Sequence, residues 1–88
     1  MKVIKLNRRY KQYREHGHTV AVKFVQYSDN ARRLERTCVA MFKSHGWNRG
    51  SRWYCYFGNR DRDGFRPYWF TFRNEADVTM LLMTVKFT

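Results

Sequence analysis

Residues 51–73 read SRWYCYFGNRDRDGFRPYWFTFR, and this stretch decides the fold. Trp53, Tyr54, Tyr56 and Phe57 make one aromatic run. Phe65, Tyr68, Trp69, Phe70 and Phe72 make a second. Aromatic residues favour a pleated, half-buried surface. The segment between them, Gly58-Asn59-Arg60-Asp61-Arg62-Asp63-Gly64, is turn chemistry. The pattern predicts a β-hairpin with arms over 52–57 and 66–72. Side chains alternate along a strand, so Trp53, Cys55 and Phe57 share one face and Arg52, Tyr54 and Tyr56 the other. On the second arm Tyr68, Phe70 and Phe72 oppose Trp69, Thr71 and Arg73. A strand with one solvated face should alternate apolar and polar residues. Here one face can line a core, while the other still carries rings and guanidinium groups with something to cover or to bind.

Upstream, residues 18–27 alternate Val20, Val22 and Phe24 with Ala21, Lys23 and Val25, which predicts a strand. Ser28, Asp29 and Asn30 offer N-cap chemistry. A helix to about Ser44 follows, with Ala31, Leu34, Cys38, Met41 and Phe42 in one apolar stripe. Gly46 stands where a helix-ending glycine is expected. Trp47 lies in the glycine- and arginine-rich connection to the hairpin. Downstream, Asn74 caps a short helix to about Thr84, with Ala76, Met80 and Met83 on one face. A last strand is expected over 85–88. The β-branched and apolar content of 78–87 also allows a single strand there.

The order strand, helix, strand, strand, helix, strand is a split βαβ arrangement. It predicts an α+β, ferredoxin-like domain over 18–88, with an antiparallel sheet and both helices on one face. The open face would present Lys23, Tyr54, Tyr56, Trp69, Thr71 and Arg73. Residues 1–17 hold Lys2, Lys5, Arg8, Arg9, Lys11 and Arg14 against Glu15 alone. They read as a basic N-terminal arm or, through Val3, Ile4 and Leu6, as an edge strand.

The chain has 88 residues and a formal net charge of +11, with 18 Lys and Arg against 7 Asp and Glu. That length supports one core. The charge calls for an anionic partner. Arginine predominates, and its planar fork suits phosphates and stacking on bases. The longest apolar run, near 78–85, is too short to span a bilayer, and no signal peptide is evident at the start. The expected location is therefore cytoplasmic, with no membrane partner. Cys38 and Cys55 fall inside predicted elements and read as reduced core thiols.

Other chemistries find little support. Asn59-Arg60-Asp61-Arg62-Asp63-Gly64 opens like a calcium loop, but Phe70 stands where the bidentate Glu is required. His16, His18, His45, Cys38 and Cys55 lack zinc spacing. The acids form no catalytic pair, and Asp29 is explained as a helix-start residue. No metal, cofactor or enzymatic activity is expected.

Tyr68-Trp69-Phe70-Thr71-Phe72, together with the element order, resembles the aromatic third strand of the RNA-recognition-motif family. In that family strand aromatics stack bases, so the resemblance assigns that role to Trp69. Phe65 stands at the family's basic position, Arg66-Pro67 replaces its Gly-aromatic pair, and Ala21 takes the place of its other stacking ring. Residues 70–77 (FTFRNEAD), with Lys86-Phe87, are also similar to short phage-encoded proteins of unassigned role.

The expected function is sequence-tolerant binding of RNA or DNA. Tyr54, Tyr56 and Trp69 would stack on bases. Lys23, Arg52, Arg60, Arg62, Arg73 and the arm residues Arg8, Arg9, Lys11 and Arg14 would meet phosphates. The alternative is a small viral accessory protein whose aromatic face docks on an acidic host protein, since Tyr, Trp and Arg also dominate protein interfaces. The open sheet face would equally permit a homo-oligomer.

Overall fold

The computed structural model describes residues 1–44, 46 and 50–87. The elements are β1 (Lys2–Lys5), α1 (Lys11–His16), β2 (Val20–Phe24), α2 (Asp29–Phe42), β3 (Trp53–Phe57), β4 (Tyr68–Phe72) and α3 (Glu75–Thr84). The strands form one antiparallel sheet in the order β1-β2-β4-β3. β2 and β3 run parallel with β4 between them, joined by the α2 crossover, which is the split βαβ core of an α+β fold.

The hairpin closes in the register Trp53↔Phe72, Cys55↔Phe70 and Phe57↔Tyr68. β4 then pairs with β2, placing Val22 beside Phe70 and Ala21 beside Thr71. The core is the sheet face bearing Val20, Val22, Phe24, Trp53, Cys55, Phe70 and Phe72, under Ala31, Leu34, Cys38 and Phe42 of α2 and Val78 and Leu81 of α3. The Trp53 indole N–H donates to the Lys43 carbonyl at 3.1 Å, so even the largest core ring has its polar atom satisfied. Cys38 and Cys55 are buried free thiols.

At the N-terminus the edge-strand alternative is the one that forms, whereas the C-terminus departs from the sequence expectation. The outer position beside β2 is taken by β1, with Val3↔Val22 and Ile4↔Ala21 in register. Residues 85–87 form no strand and Thr88 lies outside the described residues. Residues 75–84 are helical, so the strand alternative over 78–87 is also set aside. With β1 already paired to β2, that edge has no vacancy for a C-terminal strand. The arm is not a loose tail either. Its second half folds as α1, ended by Gly17 at φ +70. That left-handed conformation favours glycine, and it lets the His18 N–H reach the Gln12 carbonyl at 3.2 Å.

Two helix details also differ. Ser28 does cap α2, its hydroxyl accepting from the Ala31 N–H at 3.3 Å. The helix stops at Phe42, however, and Lys43 rather than Gly46 takes the positive φ, at 67°. In α3 the buried face holds Val78 and Leu81, while Met80 and Met83 are 49% and 82% exposed. The segment EADVTMLLMT is apolar on several sides, so its pattern selects no face by itself.

Candidate nucleic-acid interface

The sheet face away from α2 and α3 carries Tyr54, Tyr56, Trp69 and Lys23, all half-buried. Strand alternation puts them there, and register brings Tyr56 opposite Trp69 and Trp69 opposite Lys23. The Tyr56 and Trp69 rings are parallel within 4° at 6.4 Å between centroids. Tyr54 and Tyr56 lie within 19° of parallel at 6.2 Å. The Lys23 ammonium stands 5.2 Å from the Trp69 ring centre, a cation–π distance. The result is a row of rings crossing two strands and ending on a cation.

The N-terminal segment borders this row. Tyr10, just before α1, packs its ring 6.2 Å from Trp69. Burial, with Tyr10 nearby, pushes the Tyr56 phenol up to about 12, so it stays a neutral hydrogen-bonding group at physiological pH. Gln12 and His16 are buried on the same side. Arg8, Arg9, Lys11 and Arg14 are exposed around them. Arg14 donates to the Arg8 carbonyl at 2.7 Å, and Lys11 pairs loosely with Glu15 at 3.8 Å. Arg73 packs its guanidinium against Gly50 and shares a cleft with Tyr13, Arg14 and His16. Thus Arg14 and Arg73, distant in sequence, meet at one end of α1.

Several residues expected on the open face or in the binding set are placed otherwise. Thr71 is fully buried, because His18 and the α1 segment cover it. Arg52 turns to the helix side. It grips Asp77 with Nε at 2.8 Å and Nη2 at 3.0 Å, and lies 4.4 Å from the Phe42 ring centre. Asp77 is buried, so releasing Arg52 to a phosphate would strand a buried carboxylate. Arg52 is therefore a structural cation. Arg60 and Arg62 ride on the exposed hairpin loop. Arg60 donates to the Gly64 carbonyl at 2.9 Å, and the Asp61 carboxylate accepts from the N–H groups of Asp63 and Phe65. The carboxylate that a calcium loop would need thus closes the turn instead. Trp47 and His45 lie outside the described residues.

The sequence reading missed Tyr10 as part of the aromatic row and His18 as its buried support. The Tyr10–Tyr13 spacing followed by Gly17 is a short-helix signal that could have placed the first. His18 stands two positions before β2, and nothing in its spacing announces its partners Thr71 and Ser51. Among the described residues no group of His, Cys, Asp and Glu is placed to hold a metal ion, and no helix is long and apolar enough to cross a membrane. Set against protein-family models, curated proteins and solved structures, the chain gives no match.

Proposed function

We propose that this protein is a non-enzymatic, sequence-tolerant nucleic-acid-binding module. The observation that carries the reading is the row Tyr54, Tyr56 and Trp69, partly open to solvent, with Lys23 against Trp69 and with the exposed Arg8, Arg9, Lys11 and Arg14 on the segment whose Tyr10 ring meets Trp69; Arg73 shares a cleft with Arg14. Rings offer faces to any base, and the cations meet the backbone without reading sequence. Arg52 no longer belongs to the binding set, and Arg60 and Arg62 are peripheral to it. Single strands suit the site better than duplex, because unpaired bases present the faces that stacking needs.

The test is titration of fluorescent single-stranded RNA and DNA oligonucleotides against wild type, Tyr54→Ala and Trp69→Ala. Removing one stacking ring should weaken binding by about 1–3 kcal/mol. Near-UV circular dichroism checks that the variants remain folded. Undiminished affinity in folded Trp69→Ala would remove the ring row from the proposal.

A further inference from the structure

β3 is an outer strand, and the hairpin register fixes which of its backbone groups face outward. The Arg73 N–H donates to the Arg52 carbonyl, and the Gly58 N–H to the Pro67 carbonyl. Bonded and non-bonded pairs alternate along an antiparallel ladder. Tyr54 and Tyr56 therefore aim their N–H and C=O groups at β4, while Cys55 and Phe57 aim theirs away. Among the described residues, no hydrogen bond reaches the backbone groups of Cys55 and Phe57 on that side.

The two sheet edges are built differently. β1 is four residues long and carries Lys2 and Lys5, the kind of charge that discourages strand pairing. β3 reads WYCYF and has neither charge nor proline. Above it, the Glu35 carboxylate touches Cys55 and Tyr68, which identifies the flank of α2 nearest β3. Helical spacing from Glu35 puts Arg32 and Val39 on that flank. Arg32 is exposed, and Val39 is 46% exposed. At the Phe57 end of the strand, near Tyr68, the Arg66 guanidinium lies 5.0 Å from the Phe57 ring centre. The nearby carboxylates are already engaged, Glu35 by Tyr68 and Asp29 by Arg32 at 3.8 Å.

We propose that the β3 edge takes up an extended, acidic polypeptide segment as an added strand, its carboxylates facing Arg32 and Arg66. The site is separate from the ring row, and the inference does not depend on nucleic-acid binding. Three occupants compete for it. A second copy of the chain would bring these arginines against like charges in a molecule of net charge +11. A nucleic acid supplies acceptors for the outward N–H groups but no regular donors for the outward carbonyls. An acidic strand supplies both, and strand addition is an established mode of peptide recognition.

The experiment adds a short synthetic peptide of alternating glutamate and valine to isotope-labelled protein and follows amide hydrogen exchange by NMR. Exchange at Cys55 and Phe57 should slow about tenfold or more. Tyr54 and Tyr56, already bonded to β4, should change little. The same peptide, N-methylated on alternate residues in each of the two registers, should bind about tenfold or more weakly in the register that blocks the amides facing β3. Equal binding of both methylated forms would overturn the proposal, as would effects confined to Tyr54, Tyr56 and Trp69. Slowing at Cys55 and Phe57 on raising protein concentration alone would give the edge to a second copy and overturn the acidic occupant.

Discussion

His18 ties the N-terminal segment to the hairpin. Its Nε2 lies 2.7 Å from the Ser51 carbonyl and its Nδ1 2.7 Å from the Thr71 hydroxyl. A carbonyl only accepts, so Nε2 carries a proton; burial disfavours a second proton on the ring, which leaves Nδ1 to accept from the Thr71 hydroxyl. That is the neutral imidazole. Burial lowers its pKa below the usual 6.5, the Ser51 carbonyl opposes this, and His16 and Arg73 lower it further. In the unfolded chain the ring takes up a proton near pH 6.5; in the folded protein it does so only at lower pH. Its contribution to stability is therefore complete above about pH 6.5 and is lost as pH falls below it. Thermal melts should show a lower Tm near pH 5 than near pH 7, and His18→Gln should flatten that dependence. An unchanged dependence in His18→Gln would exclude His18 as its source. The Tyr68 phenol shows the same preference for neutrality. It is buried, its pKa is raised chiefly by that burial, and it donates to Glu35 at 2.5 Å.

Among the elements, the hairpin and α2 were legible because their patterns are strict. Trp53, Cys55 and Phe57 alternate with Tyr54 and Tyr56, and only that register buries the first two of the apolar set. Ser28 announced α2 through a cap that the structure contains. Residues 75–84 were legible as a helix but not in orientation, because Met80 and Met83 are as apolar as Val78 and Leu81. β1 was legible only as an alternative to an arm, since four residues with two lysines carry little strand signal. The parity of Tyr54, Tyr56 and Trp69 was readable from period two alone. Arg52 was not, because its neighbour Asp77 comes from another element 25 residues on.

Gly58 shows how closely the hairpin is fitted to the ring row. A Cβ added there would lie 2.7 Å from the Trp69 indole nitrogen and 3.1 Å from the Pro67 ring. Gly58→Ala should therefore displace the Trp69 ring from its parallel arrangement with Tyr56. Overpacking of this kind costs about 1–3 kcal/mol. Urea unfolding should register that loss, and near-UV circular dichroism should change. An unaltered near-UV spectrum would show that the indole has room to spare.

At the scale of the whole molecule, charge and shape act together. The protein is a slab of 31 × 29 × 19 Å with a net charge of +11. Arg8 and Arg9 directly precede Tyr10, whose ring meets Trp69, and are exposed, with no part in the core. Oligonucleotide affinity should fall steeply between about 50 and 200 mM salt, as counterions are released from the phosphates. The double variant Arg8→Ala/Arg9→Ala should reduce that slope by about 1 for each phosphate it leaves without a cation, with Tm unchanged. A salt-independent wild type would rule out a polyanion as the ligand.

The sheet order has a consequence for how the chain assembles on the ribosome. β4, the strand that β2 and β3 share, is encoded after both of them. β1 and β2 can form a small ribbon early, but Val20 must wait for Phe72, 52 positions later. Until residues 68–72 emerge, the aromatic strand β3 has no neighbour and α2 has only part of its floor. Such long-range closure slows folding and leaves hydrophobic strands uncovered in the meantime. For this chain the hazardous interval of synthesis ends when a single central strand arrives and joins two unfinished halves.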